Sequence, residues 1–284
     1  MTKNGALGKI GLIAGGGELP IALAELCRLS RRPYYVLRLA GMAQPVLSAH
    51  PGVEIGIAEL GRQFSVLKRE GCTSICFAGI VKRPDFSKLK PDIRGVMALP
   101  RVVAAAAKGD DALLRCLIAE FEREGFTVEG AQDVDGGLRL TMGPIGSLTP
   151  DAEHQDDILL AVKVAKAIGA LDVGQAAAAA KGVVLAVEAQ EGTDALLRRC
   201  AELPSELRGD AARRVGVLAK WPKPIQERRI DLPTIGVATV EAAAAAGLAG
   251  IVAEAGATLV IDRAAVIAAA DRLGLFVIGL KGEA

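Results

Sequence analysis

The feature that most constrains the fold is the opening of the chain, where a short apolar segment runs directly into three glycines and then into a helical pattern. Residues 9–14 have the length and composition of a buried strand, and Gly15, Gly16 and Gly17 follow without a break. Strand, tight turn and helix form the repeating unit of doubly wound parallel sheets. Three further apolar strand patterns occupy residues 34–39, 53–57 and 74–80. We therefore predict an α/β protein whose first domain is a Rossmann-like parallel sheet.

The second half of the chain continues the alternation of helices and strands without repeating the sequence. A helical pattern over residues 152–168 precedes apolar strand patterns at 183–187, 216–219 and 275–278. Between the halves, residues 136–150 mix Gly, Pro, Ser and Thr with no sustained period, which is typical of a connection between domains. The sequence therefore predicts an N-terminal domain over 1–135, a linker and hinge over 136–150, and a C-terminal catalytic α/β domain over 151–284.

Composition supports this fold class and excludes one class of partner. Hydrophobic residues make up 51% of the chain and aromatic residues only 3%, so the core is aliphatic, as in sheets covered by helices. Thirty-four basic and 33 acidic residues leave a formal charge of +1, which gives no global field to attract nucleic acid. We therefore expect no nucleic-acid binding and a local anion site.

Cysteine and histidine usage argues against disulfides and zinc. The five cysteines are odd in number and lie within apolar runs, which favours reduced, buried thiols in a cytoplasmic protein. Cys72 and Cys76 have no second cysteine pair nearby, and the histidines are limited to His50 and His154, so no zinc centre is expected. We find no signal peptide and no uncharged run long enough to cross a bilayer, and so expect a soluble protein.

Two candidate phosphate contacts follow strand patterns of the first domain. The glycine triplet could bring backbone N–H groups close to a phosphate, although a tight turn explains it equally well. It lacks the G-x-G-x-x-G spacing of a dinucleotide site, and the second strand pattern is not followed by the acidic residue that binds ribose. Lys82 and Arg83 come after the strand pattern at 74–80, at the edge where such sheets bind ligands. A solvated charged loop is the alternative for this pair.

Asp110 and Asp111 form a third candidate, because they precede a helical pattern that extends to residue 124. An aspartate at this position caps a helix and complements its dipole, which explains at least one of the pair. The other is a candidate ligand of a metal ion or a sugar hydroxyl.

The strongest local pattern is Glu-Ala-Gln-Glu-Gly-Thr-Asp over residues 188–194, which leaves an apolar strand and enters a helix. Its carboxylates and hydroxyl are the hard oxygen ligands that Mg²⁺ selects. We favour a functional role for Glu188 and Glu191. For Thr193 and Asp194, ordinary helix capping is an equal alternative.

A second polar pattern spans residues 220–236, again directly after an apolar strand. It is too polar and too rich in proline for a core segment, and it sets an acid among cations and a Pro-Thr turn. That combination is typical of a phosphate clamp with a metal-binding carboxylate, and a salt-bridged surface loop is the alternative. The candidates here are Lys220, Gln226, Arg228, Arg229, Asp231 and Thr234.

The sequence offers no nucleophile elbow, Cys–His pair or Walker loop. A covalent intermediate on the protein is therefore not expected. Direct attack of water on a metal-bound phosphate is the simplest chemistry that the candidate residues support.

Six motifs stand in order over nearly the whole chain. They are IGLIAGGGELP at 10–20, AGIVKRPDF at 78–86, GDDALLR at 109–115, LDVGQ at 171–175, VEAQEGTD at 187–194 and QERRIDLPTIG at 226–236. Together they resemble the UDP-2,3-diacylglucosamine pyrophosphatases of lipid A biosynthesis, in the form found where the metallophosphoesterase-type enzyme is missing.

The resemblance implies Mg²⁺-dependent hydrolysis of UDP-2,3-diacylglucosamine to UMP and 2,3-diacylglucosamine 1-phosphate (lipid X), by attack of water on the phosphorus attached to the sugar. It implies two α/β domains with the lipid between them, and a homodimer. Independently of the resemblance, we expect a cytoplasmic protein that can make transient peripheral contact with the inner face of the inner membrane. The family's essential aspartate falls on Asp231.

For hydrolysis of a pyrophosphate, we assign a role to each candidate residue. The clustered negative charge of the phosphates must be offset before water can attack in line. Catalysis is assigned to Asp231, Glu191, Lys220 and Arg229. Metal binding is assigned to Asp231, Glu188 and Asp194. Substrate binding is assigned to Gly15, Gly16, Gly17, Lys82, Arg83, Asp110, Asp111, Thr193, Gln226, Arg228 and Thr234.

Two other functions compete with hydrolysis. A nucleotide-sugar oxidoreductase would use the opening strand and helix, but the missing ribose-binding acid counts against it. A lipid or nucleotide carrier without catalysis would use the same pockets and would need no metal ion.

Overall fold

The structure is a computed structural model that describes residues 8–81, 85–224 and 226–282. Contacts divide the chain into two compact units. The first unit comprises the chain up to Gly136 together with Glu227–Ile230, and the second comprises Gly137–Gln226 and the chain from Asp231 onward. Each unit combines helices with a β-sheet, which confirms the predicted α/β class.

The first unit is built on a parallel sheet, as predicted. Among the described residues its strands and helices follow one another as β1 (Ile10–Ala14), α1 (Leu19–Leu29), β2 (Tyr34–Leu39), β3 (Gly52–Ile55), α2 (Leu60–Arg69), β4 (Ser74–Ala78), α3 (Ile93–Ala106), α4 (Asp110–Arg123), β5 (Thr127–Val128) and α5 (Ala131–Val134). The strand order is β3-β2-β1-β4-β5, and every neighbouring pair is parallel. This is a doubly wound, Rossmann-like arrangement.

The aliphatic composition explains how this sheet is covered. All five residues of β1 are buried, because helices lie on both of its faces. On the face shared with α2 and α4, Phe121 meets Phe64 and Phe77 edge to face, with ring centroids 5.0 and 5.3 Å apart. Phe121 thus joins α4 to α2 and to β4 through aromatic contacts.

The second unit contains a mixed sheet. Its described elements are β6 (Gly143–Pro144), α6 (Gln155–Ala170), β7 (Ala176–Ala180), β8 (Val183–Val187), α7 (Thr193–Glu202), α8 (Ser205–Arg208), β9 (Val217–Lys220), β10 (Thr234–Ile235), α9 (Val237–Ala245), β11 (Gly250–Glu254), β12 (Leu259–Val260), α10 (Arg263–Leu273) and β13 (Phe276–Leu280). The order is β6-β13-β11-β9-β7-β8, and β10 pairs separately with β12. Strands β9, β11 and β13 are mutually parallel, whereas β6 and β7 run against their neighbours.

The alanine run at Ala176–Ala180 is the strand β7, and it is fully buried inside the sheet. Ala176 and Ala178 belong to one hydrophobic cluster, while Ala177 and Ala179 belong to the cluster that contains the inner face of α6. Because alanine ends at Cβ, helices on both faces can approach this strand closely. The run is thus a closely packed strand of the sheet.

The stretch predicted as a linker is packed into the second unit from Gly137 onward. Leu138 and Leu140 are buried, and Gly143 and Pro144 pair with β13 in antiparallel register. Burial and strand pairing restrain this stretch more than its Gly- and Pro-rich composition indicates. A hinge at 136–150 stays a prediction.

The five cysteines are free, and four of them are buried, as predicted. Burial raises the pKa of Cys27, Cys72 and Cys200 to about 11, so these thiols stay protonated and unreactive near neutral pH. None of the helices in the described parts of the chain combines the length and apolar character needed to span a membrane.

Candidate functional site

The glycine triplet lies at the carboxyl ends of β1 and β4, where the strand order of the first sheet reverses. The Gly15 N–H donates to the Ala78 carbonyl and the Gly16 N–H to the Ile80 carbonyl, both at 2.8 Å. A side chain on Gly15 would place its Cβ 2.6 Å from the Ile80 oxygen. Two of the three N–H groups that were candidates for phosphate contact therefore donate to carbonyls at the end of β4 and just beyond it, while Gly17 takes a left-handed conformation at φ +85°. Phosphate binding by the triplet stays a prediction.

In the second unit, one edge of the mixed sheet gathers several predicted site residues. Strands β8 and β9 are both antiparallel to β7, so their carboxyl ends lie at the same edge. Glu188 follows β8, and Lys220 is the last residue of β9. The Thr193 hydroxyl at the start of α7 donates to Glu188 Oε2 at 3.1 Å, and Lys220 Nζ donates to the Thr234 carbonyl at 2.7 Å. The structure thus brings Glu188, Thr193, Lys220 and Thr234 to one edge.

Burial dominates the electrostatics of this edge. Glu188 is 7% and Lys220 6% exposed. Burial raises the pKa of Glu188 above its usual range, and the charge of Lys220 and the Thr193 hydrogen bond oppose that rise. Burial likewise lowers the pKa of Lys220, and the charges of Glu188 and Asp194 oppose it. The two side chains form an electrostatically coupled acid and base shielded from water.

A second layer of polar contacts braces the same edge, and it contains residues to which the sequence assigned no site role. Lys223 Nζ donates to Asp172 Oδ1 at 2.8 Å, and Gln226 Nε2 donates to Gln175 Oε1 at 3.3 Å. Gln226 also accepts from the Lys223 N–H at 2.9 Å and is buried. Asp172 and Gln175 belong to the motif LDVGQ, so their signal was present in the sequence. Nothing in the spacing connected them to Lys223 and Gln226, their respective partners 51 positions later.

The remaining acids of the 188–194 pattern are exposed. Glu191 forms an ion pair with Arg199, whose guanidinium also donates to the Val187 carbonyl. Asp194 lies in the first turn of α7, where a carboxylate complements the helix dipole. Hydrogen bonds to backbone N–H groups and the Arg199 charge lower the pKa of Glu191. Glu191 is therefore an ionised surface carboxylate in this structure.

The three predicted metal ligands, Asp231, Glu188 and Asp194, do not form one group. Among the residues that the structure describes, no three His, Cys, Asp or Glu side chains are placed to hold a metal ion together. Their carboxylates are nevertheless of the chemistry that Mg²⁺ accepts, and nucleotide enzymes commonly hold Mg²⁺ with one or two carboxylates plus substrate phosphates. The donor chemistry fits such a shared site, whereas a site made wholly by the protein does not fit.

Four residues of the 226–236 motif form the 227–230 segment, which packs in the first unit. The Glu227 N–H donates to Asp111 Oδ1 at 2.8 Å, and Arg115 donates to Asp111 Oδ2 at 2.7 Å. Arg229 donates to Glu227 Oε1 at 2.9 Å and to Glu122 Oε1 at 2.8 Å. These hydrogen bonds raise the pKa of Arg229, whose charge is thus compensated within the protein.

This network links two of the family motifs, which the sequence could not connect. Asp111, predicted to bind substrate, here fixes the backbone of the 227–230 segment, and the carbonyl of Arg228 accepts from Gln132 Nε2 at 3.2 Å. Asp231 comes directly after the segment and is half-buried in the second unit. Asp110 is the first residue of α4. Lys82 and Arg83 lie outside the described residues.

Comparison with known proteins agrees with the resemblance carried by the six motifs. The LpxI N-terminal domain family matches residues 9–138, and the LpxI C-terminal domain family matches residues 141–278. UDP-2,3-diacylglucosamine pyrophosphatase LpxI of Caulobacter vibrioides is 59% identical over 275 residues, which cover 97% of this chain and 98% of that protein. With both domain families matched and a relative this similar over nearly its full length, the chain belongs to the LpxI family.

Proposed function

We propose that the protein hydrolyses the pyrophosphate bond of UDP-2,3-diacylglucosamine to UMP and 2,3-diacylglucosamine 1-phosphate in lipid A biosynthesis. The observation that carries this proposal is the 59% identity, over 97% of the chain, to the Caulobacter vibrioides enzyme of that name. All six motifs lie within the residues that the two domain families match.

The edge of the mixed sheet at which β8 and β9 end, which we call the second-sheet edge, has side chains suited to this reaction. A pyrophosphate is strongly anionic, so a lysine held in a nearly dry environment stabilises developing charge more than an exposed lysine does. Lys220 is buried, and its ammonium has donors beyond the one that binds the Thr234 carbonyl. Its position at a strand end, beside Glu188 and the start of α7, places it where an open α/β sheet receives ligands.

Mg²⁺ is part of the proposal. When bound, it would offset phosphate charge and polarise the phosphorus centre. One or two of the candidate ligands Glu188, Asp194 and Asp231 would hold it, together with oxygens of the pyrophosphate. Around it, Lys220 neutralises charge, Thr193 orients the Glu188 carboxylate, and Gln226 fixes the Lys223 backbone by accepting from its N–H.

The attacking water is proposed to add to the phosphorus attached to the sugar, with UMP as the leaving group. Hydrolysis in ¹⁸O-labelled water tests this directly, because each phosphorus leads to a differently labelled product. Label in the lipid 1-phosphate is expected. Label in UMP would mean that water attacks the other phosphorus.

The primary test is release of UMP from detergent-dispersed UDP-2,3-diacylglucosamine, with Mg²⁺ and with a chelator in its place. We expect turnover that requires the metal. A carrier would bind the lipid and release no UMP, and an oxidoreductase would change the absorbance of NADPH instead. Absence of UMP with correctly folded protein would rule out the pyrophosphatase assignment.

Asp231→Asn tests the essential carboxylate with little change in shape. Loss of a carboxylate that holds the metal should lower kcat by at least about a hundredfold. Asp156→Asn, at an exposed position in α6, is the matched control and should keep full activity. Near-normal turnover by Asp231→Asn would exclude the assigned role while leaving the reaction itself intact.

A homodimer in the cytoplasm, in peripheral contact with the inner face of the inner membrane, completes the proposal. Analytical ultracentrifugation over a range of protein concentrations is expected to give twice the 29.3 kDa mass of one chain. A sedimenting species of 29.3 kDa at all concentrations would contradict the dimer.

A further inference from the structure

The helix α3 presents an apolar face to solvent. Ile93 is 82% exposed, Met97 62% and Val96 55%, and Pro100 and Val103 are exposed on the following turns. The opposite side of the helix packs on the protein, with Ala98 and Ala106 buried. We call the side formed by Ile93, Val96, Met97, Pro100 and Val103 the outer face of α3.

The spacing of these residues makes a continuous stripe. At about 100° per residue, positions 93, 96, 97, 100 and 103 fall within an arc of about 120°. Ala104 and Ala107, which are also exposed, extend the same arc toward the end of the helix. Contiguous exposed apolar surface of this kind marks an interaction site, since isolated surface hydrophobic residues show no such period.

Basic residues accompany the stripe. Arg94, Arg101 and Lys108 are exposed and recur every seven residues, so they line one flank of the outer face. Residues 88–108 contain five basic side chains and a single acidic one, Asp92, whose carboxylate caps the start of α3. Arg94 and Arg101 pair with Glu124 and Glu120, and their side chains remain 59% and 54% exposed.

We propose that the outer face of α3 docks on a lipid bilayer that contains anionic lipids. An apolar helical stripe of limited length, flanked by Lys and Arg, is the pattern of a helix that lies in the membrane interface. Apolar side chains enter the boundary between headgroups and acyl chains, while the flanking cations stay at the anionic headgroups. A symmetric contact with a second copy fits less well, because it would bring two basic segments together.

Docking would place the protein at the surface where a diacylated substrate resides. This consequence rests on the proposed function, whereas vesicle binding itself does not. The two are separable, because binding is measured without substrate and hydrolysis is measured on detergent-dispersed substrate without vesicles.

The first experiment is flotation of the full-length protein with vesicles of phosphatidylglycerol and phosphatidylethanolamine, compared with vesicles of phosphatidylcholine alone. Wild type should bind the anionic vesicles, and more weakly at high salt. Ile93→Glu with Met97→Glu should reduce binding about tenfold or more. Leu29→Glu with Leu159→Glu is the matched control, since both leucines are 69% exposed at helical positions elsewhere, and it should bind as wild type.

A second variant keeps the proposal falsifiable if the glutamate substitutions perturb α3. Lys90→Glu with Lys108→Glu leaves the apolar stripe intact and should lower binding to anionic vesicles about tenfold. Both double variants should hydrolyse detergent-dispersed substrate at the wild-type rate, and more slowly than wild type when the substrate is embedded in vesicles.

Three results would overturn the proposal. If the wild-type protein floats with neither kind of vesicle, the outer face of α3 is not a membrane-binding surface. If the Ile93→Glu, Met97→Glu variant floats as the wild type does, the membrane-binding surface lies elsewhere on the protein. A dimer that this variant disrupts, with vesicle binding unchanged, would assign the outer face to a second copy of the chain. Absence of UMP release from dispersed substrate would refute the proposed function and leave the vesicle result standing.

Discussion

Lys220 and Glu188 illustrate how single residues at the second-sheet edge are held in unfavourable surroundings. Each is buried, and each has its pKa shifted by burial toward the neutral form. The opposing charge of the partner reduces that shift for both side chains. Neither is therefore expected to tolerate loss of the other without a cost in stability.

Lys220→Met is predicted to lower both stability and activity. It leaves the Glu188 carboxylate buried without its main compensating charge, which should destabilise the second unit by about 3 kcal/mol. It also removes a cation from the proposed phosphate site, so UMP release should fall at least about a hundredfold. Chemical denaturation and steady-state kinetics measure the two effects.

The double variant Lys220→Met, Glu188→Gln separates the effect on stability from the effect on activity. With both charges removed, much of the lost stability should return, while activity stays low. Lys163→Met, an exposed lysine of α6, is the control and should change neither property. If Lys220→Met alone keeps wild-type activity, the lysine is structural.

Asp111 has competing roles that a variant can distinguish. In the structure its carboxylate accepts from the Glu227 N–H and thereby fixes the segment that leads to Asp231. Asp111→Ala should therefore lower kcat by about 10- to 100-fold through misplacement of Asp231, with little change in KM. Asp111→Asn should recover most of kcat, because its amide oxygen can still accept that hydrogen bond. An increase in KM alone would instead support the direct substrate contact predicted from the sequence.

At the scale of elements, an ion pair fastens the end of β5 to the connection between α1 and β2. Arg32 donates to both carboxylate oxygens of Glu129, at 2.9 and 2.7 Å, and the two side chains are 5% and 18% exposed. Burial is the largest single influence and would raise the pKa of Glu129, but the hydrogen bonds and charge of Arg32, together with the Ser74 hydroxyl, outweigh it, so the pKa is lowered. A carboxyl group whose pKa is lowered in the folded state stabilises the fold at pH values above its ordinary pKa of 4.5.

The first unit should accordingly lose stability as the pH falls below that value, through the lowered pKa of Glu129. Glu129→Gln should destabilise the unit at neutral pH by about 3 kcal/mol, because it leaves Arg32 buried without its partner. The variant should also weaken the acid dependence. Hydrogen exchange of peptides from β1 and β4 reports on this unit separately.

Glu25→Gln is the matched control, because Glu25 pairs with Arg28 at the surface of α1. Its effect should be much smaller than that of Glu129→Gln, because solvent screens an exposed pair. If Glu129→Gln and Glu25→Gln destabilise the protein equally, burial does not increase the contribution of the Arg32–Glu129 pair to stability.

For the whole molecule, the first unit is not a continuous piece of chain. The 227–230 segment contributes the partners of Asp111 and Glu122, and Ile230 packs against the hydrophobic core of that unit. A fragment that ends at Gly136 lacks these contacts and should unfold at a lower temperature than the same unit in the full chain. Hydrogen exchange in β1 measures the difference, and equal protection would show that the segment adds no stability.

The sequence by itself predicted the α/β class, the parallel first sheet and the family, because each depends on local signals. Apolar strands of five or six residues, the glycine turn and the helical patterns are short-range features, and the six motifs can be read in order along the chain. The place of Glu188, Thr193 and Lys220 at strand and helix ends also followed from these patterns. The Gly- and Pro-rich stretch before residue 151 was less informative, since composition does not report the burial of Leu140.

Only the tertiary structure decided how distant side chains are paired. It turned the N–H groups of Gly15 and Gly16 toward carbonyls, compensated Arg229 with Glu122 and Glu227, and joined Gln226 to Gln175. These partners lie between two and more than a hundred positions apart, and a hydrogen bond depends on distance and angle after folding, which residue spacing does not encode. The chemical types of the candidate residues could thus be read from the local sequence, whereas the hydrogen-bond partner of each was set by the fold.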